Sequence, residues 1–176
     1  MNIFAVDYHP RRAAQQLPDK LVIKMALETS QLVSILYSKW YHNWGDIYKA
    51  DGTPYQTQKG AFRHHPCSLW LAESYENLAW GIAHGLALCT EYTHRYGKIH
   101  SCQKTLFEAK KTFHKNTGKS ILIYSRVGKF ARAMPDEIKD DSSIDDVTAY
   151  QKYIVTKPWV RDNYLRCPDR KPSWMI

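Results

Sequence analysis

Glu28, in the first part of the chain, is a candidate general acid or base. Glu28 follows Lys24 by four residues inside a segment with helical apolar spacing, so the two side chains share one flank of a helix. A carboxylate that acts as a general acid or base needs a partly desolvated niche. A solvated pair of this kind would instead stabilise its helix by only a few tenths of a kcal/mol. The spacing leaves both interpretations open.

Histidines and cysteines are concentrated in one region, which raises the question of a metal site. They are His64, His65, Cys67, His84, Cys89, His94, His100 and Cys102. Zinc sites usually use short paired spacings such as CxxC or HxxxH, and a zinc deaminase needs HxE together with PCxxC. None of these spacings occurs here. We therefore predict structural histidines without a metal or other cofactor, and keep a base-modifying enzyme that uses this region as an alternative.

A second motif imitates the end of a phosphate-binding loop. Residues 117–120 read TGKS, but the full motif needs a glycine at position 113, where Phe113 stands. The motif also needs a helix to follow, whereas residues 121–124 (ILIY) are typical of a short strand or a buried extended piece. Nucleotide hydrolysis is therefore not predicted.

Two runs of cations predict contacts with a polyanion. Residues 94–100 (HRYGKIH) close the longest helical segment, and residues 125–132 (SRVGKFAR) alternate cations with small or aromatic residues. Such runs can clamp the phosphates of a nucleic acid. A favourable helix dipole or a merely solvated face would explain the same residues without DNA. The candidate nucleic-acid contacts are His65, Arg95, Lys98, His100, Arg126, Lys129 and Arg132.

The bulk composition favours a basic cytoplasmic protein. The 25 Lys and Arg residues exceed the 17 Asp and Glu residues, which gives the 176-residue chain a formal charge of +8 and favours a polyanionic partner. The 4 cysteines include no CxxC pair, and no secretory signal or apolar run long enough for a membrane span is present. We therefore predict free thiols, a cytoplasmic location and no membrane contact. The composition predicts no oligomeric state.

Apolar periodicity indicates a mainly α fold. The predicted helices cover residues 19–38, 68–96 (capped by Ser68), 101–118 (capped by Ser101) and 143–158. Gly81 and Gly85 within the second of these would bend it or allow another helix to approach closely. Residues 41–66 predict a long irregular connection, and such loops are often functional. We expect one compact helical domain over residues 1–176, with long irregular loops and at most minor β structure.

Short stretches across the chain resemble a group of small uncharacterised proteins encoded by tailed phages. They include MNIF at residues 1–4, LET at 27–29, HPC at 65–67, RYGKIH at 95–100 and AMPDE at 133–137. The resemblance spans most of the chain and implies a shared fold. It keeps open the alternative of a noncatalytic phage protein that binds nucleic acid or blocks a host factor.

The order of features is also similar, more distantly, to that of the pyrimidine-dimer DNA glycosylases. The parallel consists of a very short N-terminal segment, a first helix bearing a basic residue and a glutamate, a His-Pro step after a loop, and a long helix that ends in Arg-Tyr-Gly. Those enzymes flip a nucleotide, attack its sugar with the N-terminal amine, and use a glutamate on the first long helix. The resemblance implies that the nucleophile here is the α-amine of Met1, or of Asn2 if Met1 is removed. It implies Glu28 as the glutamate, with Lys24 as a looser substitute for the adjacent arginine.

This resemblance implies a definite chemistry. An α-amine has an ordinary pKa of about 8, so a useful fraction is neutral at physiological pH and can form a Schiff base with a sugar aldehyde. Trp70 and Trp80 are candidates to stack on an extruded base, although tryptophans at such positions are more often core residues. We therefore predict a base-excision enzyme, a DNA N-glycosylase and abasic-site lyase. Its partner would be double-stranded DNA, including damaged or modified DNA, and it would need no cofactor.

Overall fold

The computed structural model describes residues 1–175, and this part of the chain is mainly helical, as predicted. Its α-helices are α1 (Pro10–Gln16), α2 (Asp19–Tyr37), α3 (Pro66–Glu73), α4 (Tyr75–Tyr96), α5 (Gln103–Thr117), α6 (Asp136–Lys139) and α7 (Asp146–Val155). Short 3₁₀ helices cover Gln56–Lys59, Ile121–Arg126 and Pro168–Arg170. Within residues 1–175, β structure is limited to an isolated bridge between Tyr48 and Pro54. No helix in this range is long and apolar enough to cross a membrane.

The core forms where α4 crosses α2, with α1 and α5 packed beside the crossing. Gly85 makes the crossing close, because a Cβ atom there would lie 2.8 Å from Cγ2 of Thr29 and 3.0 Å from the side chain of Leu106. The glycine therefore allows α2, α4 and α5 to meet, as the sequence suggested. This crossing fixes the position of α2, which carries Glu28.

The first six residues are packed into the core rather than trailing from it. The side-chain Oδ1 of Asn2 accepts the backbone N–H groups of Ile3 at 2.7 Å and Phe4 at 3.0 Å, and its Nδ2 donates to the carbonyl of Ala133 at 2.7 Å. Phe4 has a φ of 42°, which is unfavourable for a bulky residue and persists only where the surroundings impose it. Its ring is stacked on Tyr153 with 5.7 Å between centroids. The N-terminus is therefore held in one place.

The predicted second helix is in fact two helices. Ser74 interrupts it with extended backbone, and its hydroxyl accepts the N–H of Asn77 at 3.1 Å to begin α4. The cap of α3 is His65, whose Nδ1 accepts the N–H of Cys67 at 3.1 Å, and Ser68 lies inside α3 instead. The apolar spacing continues across the break, so periodicity alone does not reveal it.

Three smaller expectations also needed correction. Residues 121–126 form a 3₁₀ helix and not a strand. The last helix begins at Asp146, because the carboxylate of Asp145 accepts the N–H of Thr148 at 2.7 Å and caps it. Helix α5 begins after Cys102 rather than at Ser101. Short apolar runs and helix starts are the features that sequence patterns define least well.

Candidate active site

A cleft of about 390 Å³ opens between the N-terminal segment, α2 and the end of α7. Its lining residues are Met1, Asn2, Phe4, Lys20, Leu21, Lys24, Glu28, Tyr153, Lys157 and Trp159. The four residues that the sequence singled out for catalysis, Met1, Asn2, Lys24 and Glu28, are all among them. The cleft therefore joins the start of the chain to the middle of its first long helix.

Glu28 is buried at the bottom of this cleft, with only 8% of its surface exposed. Its Oε2 accepts the backbone N–H of Asn2 at 2.8 Å, and its Oε1 lies 3.4 Å from Nζ of Lys24. The Lys24 side chain is itself largely in solvent. Glu28 is therefore not a solvated surface partner of Lys24. It occupies a partly desolvated niche of the kind that a general acid or base needs.

The start of the chain lies beside this carboxylate. The nitrogen of Asn2 is 2.8 Å from Oε2 of Glu28, and it would be the α-amine in a chain that has lost Met1. One residue spans at most about 3.6 Å, so the amine of Met1 lies within about 6.5 Å of the same oxygen. With or without Met1, an amine and a carboxylate share the cleft.

Cations and aromatic rings form the walls of the cleft. Nζ of Lys20 lies 5.1 Å from the ring centroid of Trp159, and Nζ of Lys157 lies 4.2 Å from that of Tyr153. These are cation–π distances, which keep both lysines close to the aromatic faces. Positive charge suits phosphates, and flat rings suit bases. Tyr153, Lys157 and Trp159 were not predicted. The only signal in the sequence was a lysine two residues before a tryptophan in KPW at residues 157–159, which does not include Tyr153.

His65 caps α3, which packs against the helix that carries Glu28. Burial lowers the pKa of His65, the charge of the N-terminal amine lowers it further, and Glu28 acts in the opposite direction. The neighbouring thiol of Cys67 is inert, because burial raises its pKa to about 12. Across residues 1–175, no group of three or more His, Cys, Asp or Glu side chains is arranged to hold a metal ion.

The proposed phosphate clamp at the end of α4 is wrong for two of its three members. The guanidinium of Arg95 is buried, with Nε 2.8 Å from Glu91, Nη1 3.0 Å from Asp19, and further hydrogen bonds to backbone carbonyls at the end of α1. His100 is also buried, and its Nε2 lies 3.1 Å from a backbone carbonyl of α2. Both side chains are buried and hydrogen-bonded within the protein, so neither is available to a phosphate. Lys98 alone of the three is exposed.

The second basic run, residues 125–132, also contains both a cation that is bonded within the protein and cations that are exposed. Arg132 is paired with Asp146 at 2.7 Å and donates to several backbone carbonyls, so its predicted role as a phosphate contact is wrong. Arg126 and Lys129 are exposed but are not part of the cleft lining.

The two tryptophans proposed for base stacking belong to the core. Trp70 is 3% exposed and donates its indole N–H to the carbonyl of Lys129 at 2.7 Å. Trp80 is fully buried and donates to the carbonyl of Tyr8 at 2.8 Å. Neither ring can stack on a base, so this prediction is wrong. Large aromatic residues on an apolar helix face fill the core by default.

The fold and this site define a small helical protein with an N-terminal amine, a buried glutamate and a basic, aromatic cleft on one face. A family model described as pyrimidine dimer DNA glycosylase matches residues 1–104, which is more than half of the chain. The chain belongs to this family, and it therefore has a DNA glycosylase-like function, with DNA as the substrate that the family implies. No curated protein and no solved structure matches the chain. The matched region contains Met1, Glu28 and His65, whereas Tyr153, Lys157 and Trp159 lie beyond it.

Proposed function

We propose that the protein is a DNA N-glycosylase with abasic-site lyase activity, and that its nucleophile is the N-terminal α-amine. The amine is that of Met1, or of Asn2 in a chain from which Met1 has been removed. The observation that supports this most is the 2.8 Å hydrogen bond between the nitrogen of Asn2 and Glu28 inside the cleft. An amine fixed next to a carboxylate can transfer a proton as it attacks.

The proposed reaction begins when the neutral amine attacks C1′ of an extruded nucleotide. The bond between C1′ and the base breaks, and the base leaves with the bonding electrons and takes up a proton. Glu28 accepts a proton from the attacking amine. The nitrogen lone pair then forms a C=N bond as the bond from C1′ to the ring oxygen opens, and Glu28 returns its proton to the ring oxygen and becomes a carboxylate again. The negative charge of Glu28 stabilises the resulting cationic imine.

The lyase step follows from the same intermediate. Loss of a proton from C2′ expels the 3′ phosphate by β-elimination, and water then hydrolyses the imine to release the amine. In this scheme Lys20, Lys24 and Lys157 hold the phosphates around the target, while Tyr153 and Trp159 supply faces for the base. His65, Lys98, Arg126 and Lys129 remain candidates for further contacts with double-stranded DNA.

Borohydride trapping tests this proposal. The unblocked protein should form a covalent complex with abasic DNA, and acetylation of its N-terminus should abolish that complex. The variant Glu28→Gln can still accept the N–H of Asn2, so it should fold, but it should excise bases about 10²–10⁴-fold more slowly. Glu108→Gln is the matched control, because Glu108 is exposed on α5 and does not line the cleft, and it should retain full activity. Undiminished trapping by the blocked protein would contradict the proposal, and DNA binding without trapping would favour a noncatalytic binder.

A further inference from the structure

The loop that leads into α3 holds a phenylalanine ring out in solvent. Phe62 is 54% exposed and has a φ of 62°, in the left-handed region that bulky residues rarely adopt. Its ring is edge-on to that of His65, with 6.4 Å between the centroids. His65 in turn is the N-cap of α3, which packs against α2, the helix that carries Glu28. Phe62 therefore contacts the cap of a helix that packs directly against α2.

The loop is held firmly in this conformation. The carbonyl of Phe62 accepts the N–H of His65 at 3.0 Å and the hydroxyl of Ser68 at 2.8 Å. Arg63 donates to the carbonyl of Gly60 at 3.1 Å. A strained residue persists when its surroundings impose the strain, and such residues cluster at functional sites. The exposed ring contributes little to the core, so folding alone does not account for it.

The surroundings of Phe62 are basic. Residues 52–72 contain no Asp or Glu, and Arg63 and His64 directly follow the phenylalanine. The guanidinium of Arg63 is stacked 4.6 Å from the ring centroid of Trp40, and Nζ of Lys39 is 5.5 Å from the same ring. Proteins that kink a duplex insert an apolar side chain such as Phe between base steps, while cations nearby hold the phosphates.

We propose that Phe62 is the wedge that fills the base stack when a nucleotide at the damaged site is extruded from the duplex. This inference rests on the proposed function and names the residue that takes the role Trp70 and Trp80 cannot have. Extrusion leaves a gap between neighbouring bases, and an aromatic ring in that gap restores part of the lost stacking. Phe62 therefore acts on duplex DNA, where stacking must be broken, and not on single strands.

The test compares two abasic substrates, so that it does not depend on the identity of the lesion. Phe62→Ala should reduce the rate of borohydride trapping on abasic duplex DNA by about tenfold or more. Its trapping rate on a single-stranded abasic oligonucleotide should stay within about twofold of wild type. A 2-aminopurine placed opposite a tetrahydrofuran abasic analogue should brighten with wild type and much less with the variant. Phe62→Leu should recover most of both duplex signals.

Phe107→Ala is the matched control, because Phe107 is 47% exposed on α5 and does not line the cleft. It should change neither signal. Equal loss on duplex and single-stranded DNA, or an unchanged duplex rate and fluorescence in Phe62→Ala, would overturn the wedge. If the wild type traps no abasic DNA at all, the proposed function fails, and the fluorescence comparison still decides whether Phe62 enters the duplex.

Discussion

At the scale of single residues, Glu28 links the stability of the site to its proposed chemistry. A buried carboxylate is costly unless it is hydrogen-bonded or paired. Glu28 receives the N–H of Asn2 and the nearby charge of Lys24, so the contacts that permit its burial also hold the start of the chain in the cleft. The side chain proposed to accept a proton therefore also positions the nucleophile.

The buried imidazole of His84 should make the free energy of unfolding depend on pH. Burial lowers the pKa of His84 to about 4, its Nδ1 lies 3.0 Å from the carbonyl of Pro10, and its Nε2 has no hydrogen-bond partner among the described residues. In the unfolded chain a histidine has a pKa of about 6.5, so the unfolded state binds more protons between these two values. The free energy of unfolding should therefore fall as the pH drops from about 6.5 to 4, by at most about 3 kcal/mol from this group.

The variant His84→Asn isolates that contribution. Asparagine keeps an N–H donor near the position of Nδ1 but does not titrate in this range. Urea unfolding at pH 7 and pH 4.5 should show a smaller loss of stability for the variant than for wild type. The same loss in both proteins would show that His84 is not the group responsible.

The sequence predicted which residues meet in the cleft better than it predicted which cations are exposed. Met1, Asn2 and Glu28 were assigned by resemblance, and the structure brings them into one cleft. Arg95 and Arg132 were assigned by charge, and a sequence does not show whether a cation meets solvent or an internal carboxylate. In this structure both guanidinium groups are paired with carboxylates of the protein itself.

Arg95 links the end of helix α4 to the junction of helices α1 and α2. Its guanidinium is fully buried between Glu91 and Asp19, which are also buried. Removing one member of a buried ion pair leaves an uncompensated charge and costs about 3–5 kcal/mol. Arg95→Ala should therefore lower the free energy of unfolding by about this amount.

Lys98, three residues further along the sequence and just beyond the end of α4, is the matched control. It is exposed, so Lys98→Ala should change stability by about 0.5 kcal/mol or less. Chemical denaturation of the two variants measures the difference. Equal stability of the two variants would contradict a stabilising role for the ion pairs of Arg95.

Long amphipathic helices were the elements most accessible from the sequence. Helices α2 and α5 were predicted to within a residue or two, because each has a clear apolar stripe, with Pro18 before the start of α2 and Gly118 after the end of α5. The break at Ser74 was missed because the apolar pattern of α3 continues into α4. The 3₁₀ helix at residues 121–126 was read as a strand because a short apolar run is compatible with several backbone conformations.

Segments near both ends of the chain contribute residues to the lining of the cleft. Residues matched by the family supply Glu28 and the N-terminus, while the wall with Tyr153 and Trp159 comes from the last part. This half of the site could not be predicted, because sequence spacing does not show which distant segments fold together. Asn2 is also bonded to Ala133, and the buried core runs from Ile3 to Met175.

We propose on this basis that the chain is one cooperative domain. A fragment of residues 1–104 would expose the core surface that α5 and α7 cover, so it should lack cooperative unfolding and should not trap abasic DNA. Circular dichroism during thermal unfolding, compared with the full chain, measures this. A fragment that unfolds cooperatively and retains trapping would show that residues 105–176 form a separate addition.

The most direct measurement is the identity of the nitrogen that bonds to the sugar. The borohydride-reduced complex with abasic DNA can be digested and its modified peptide sequenced by mass spectrometry. The sugar remnant should lie on the α-nitrogen of the first residue, whether that residue is Met1 or Asn2. A remnant on the side chain of Lys20, Lys24 or Lys157, all of which line the same cleft, would contradict it.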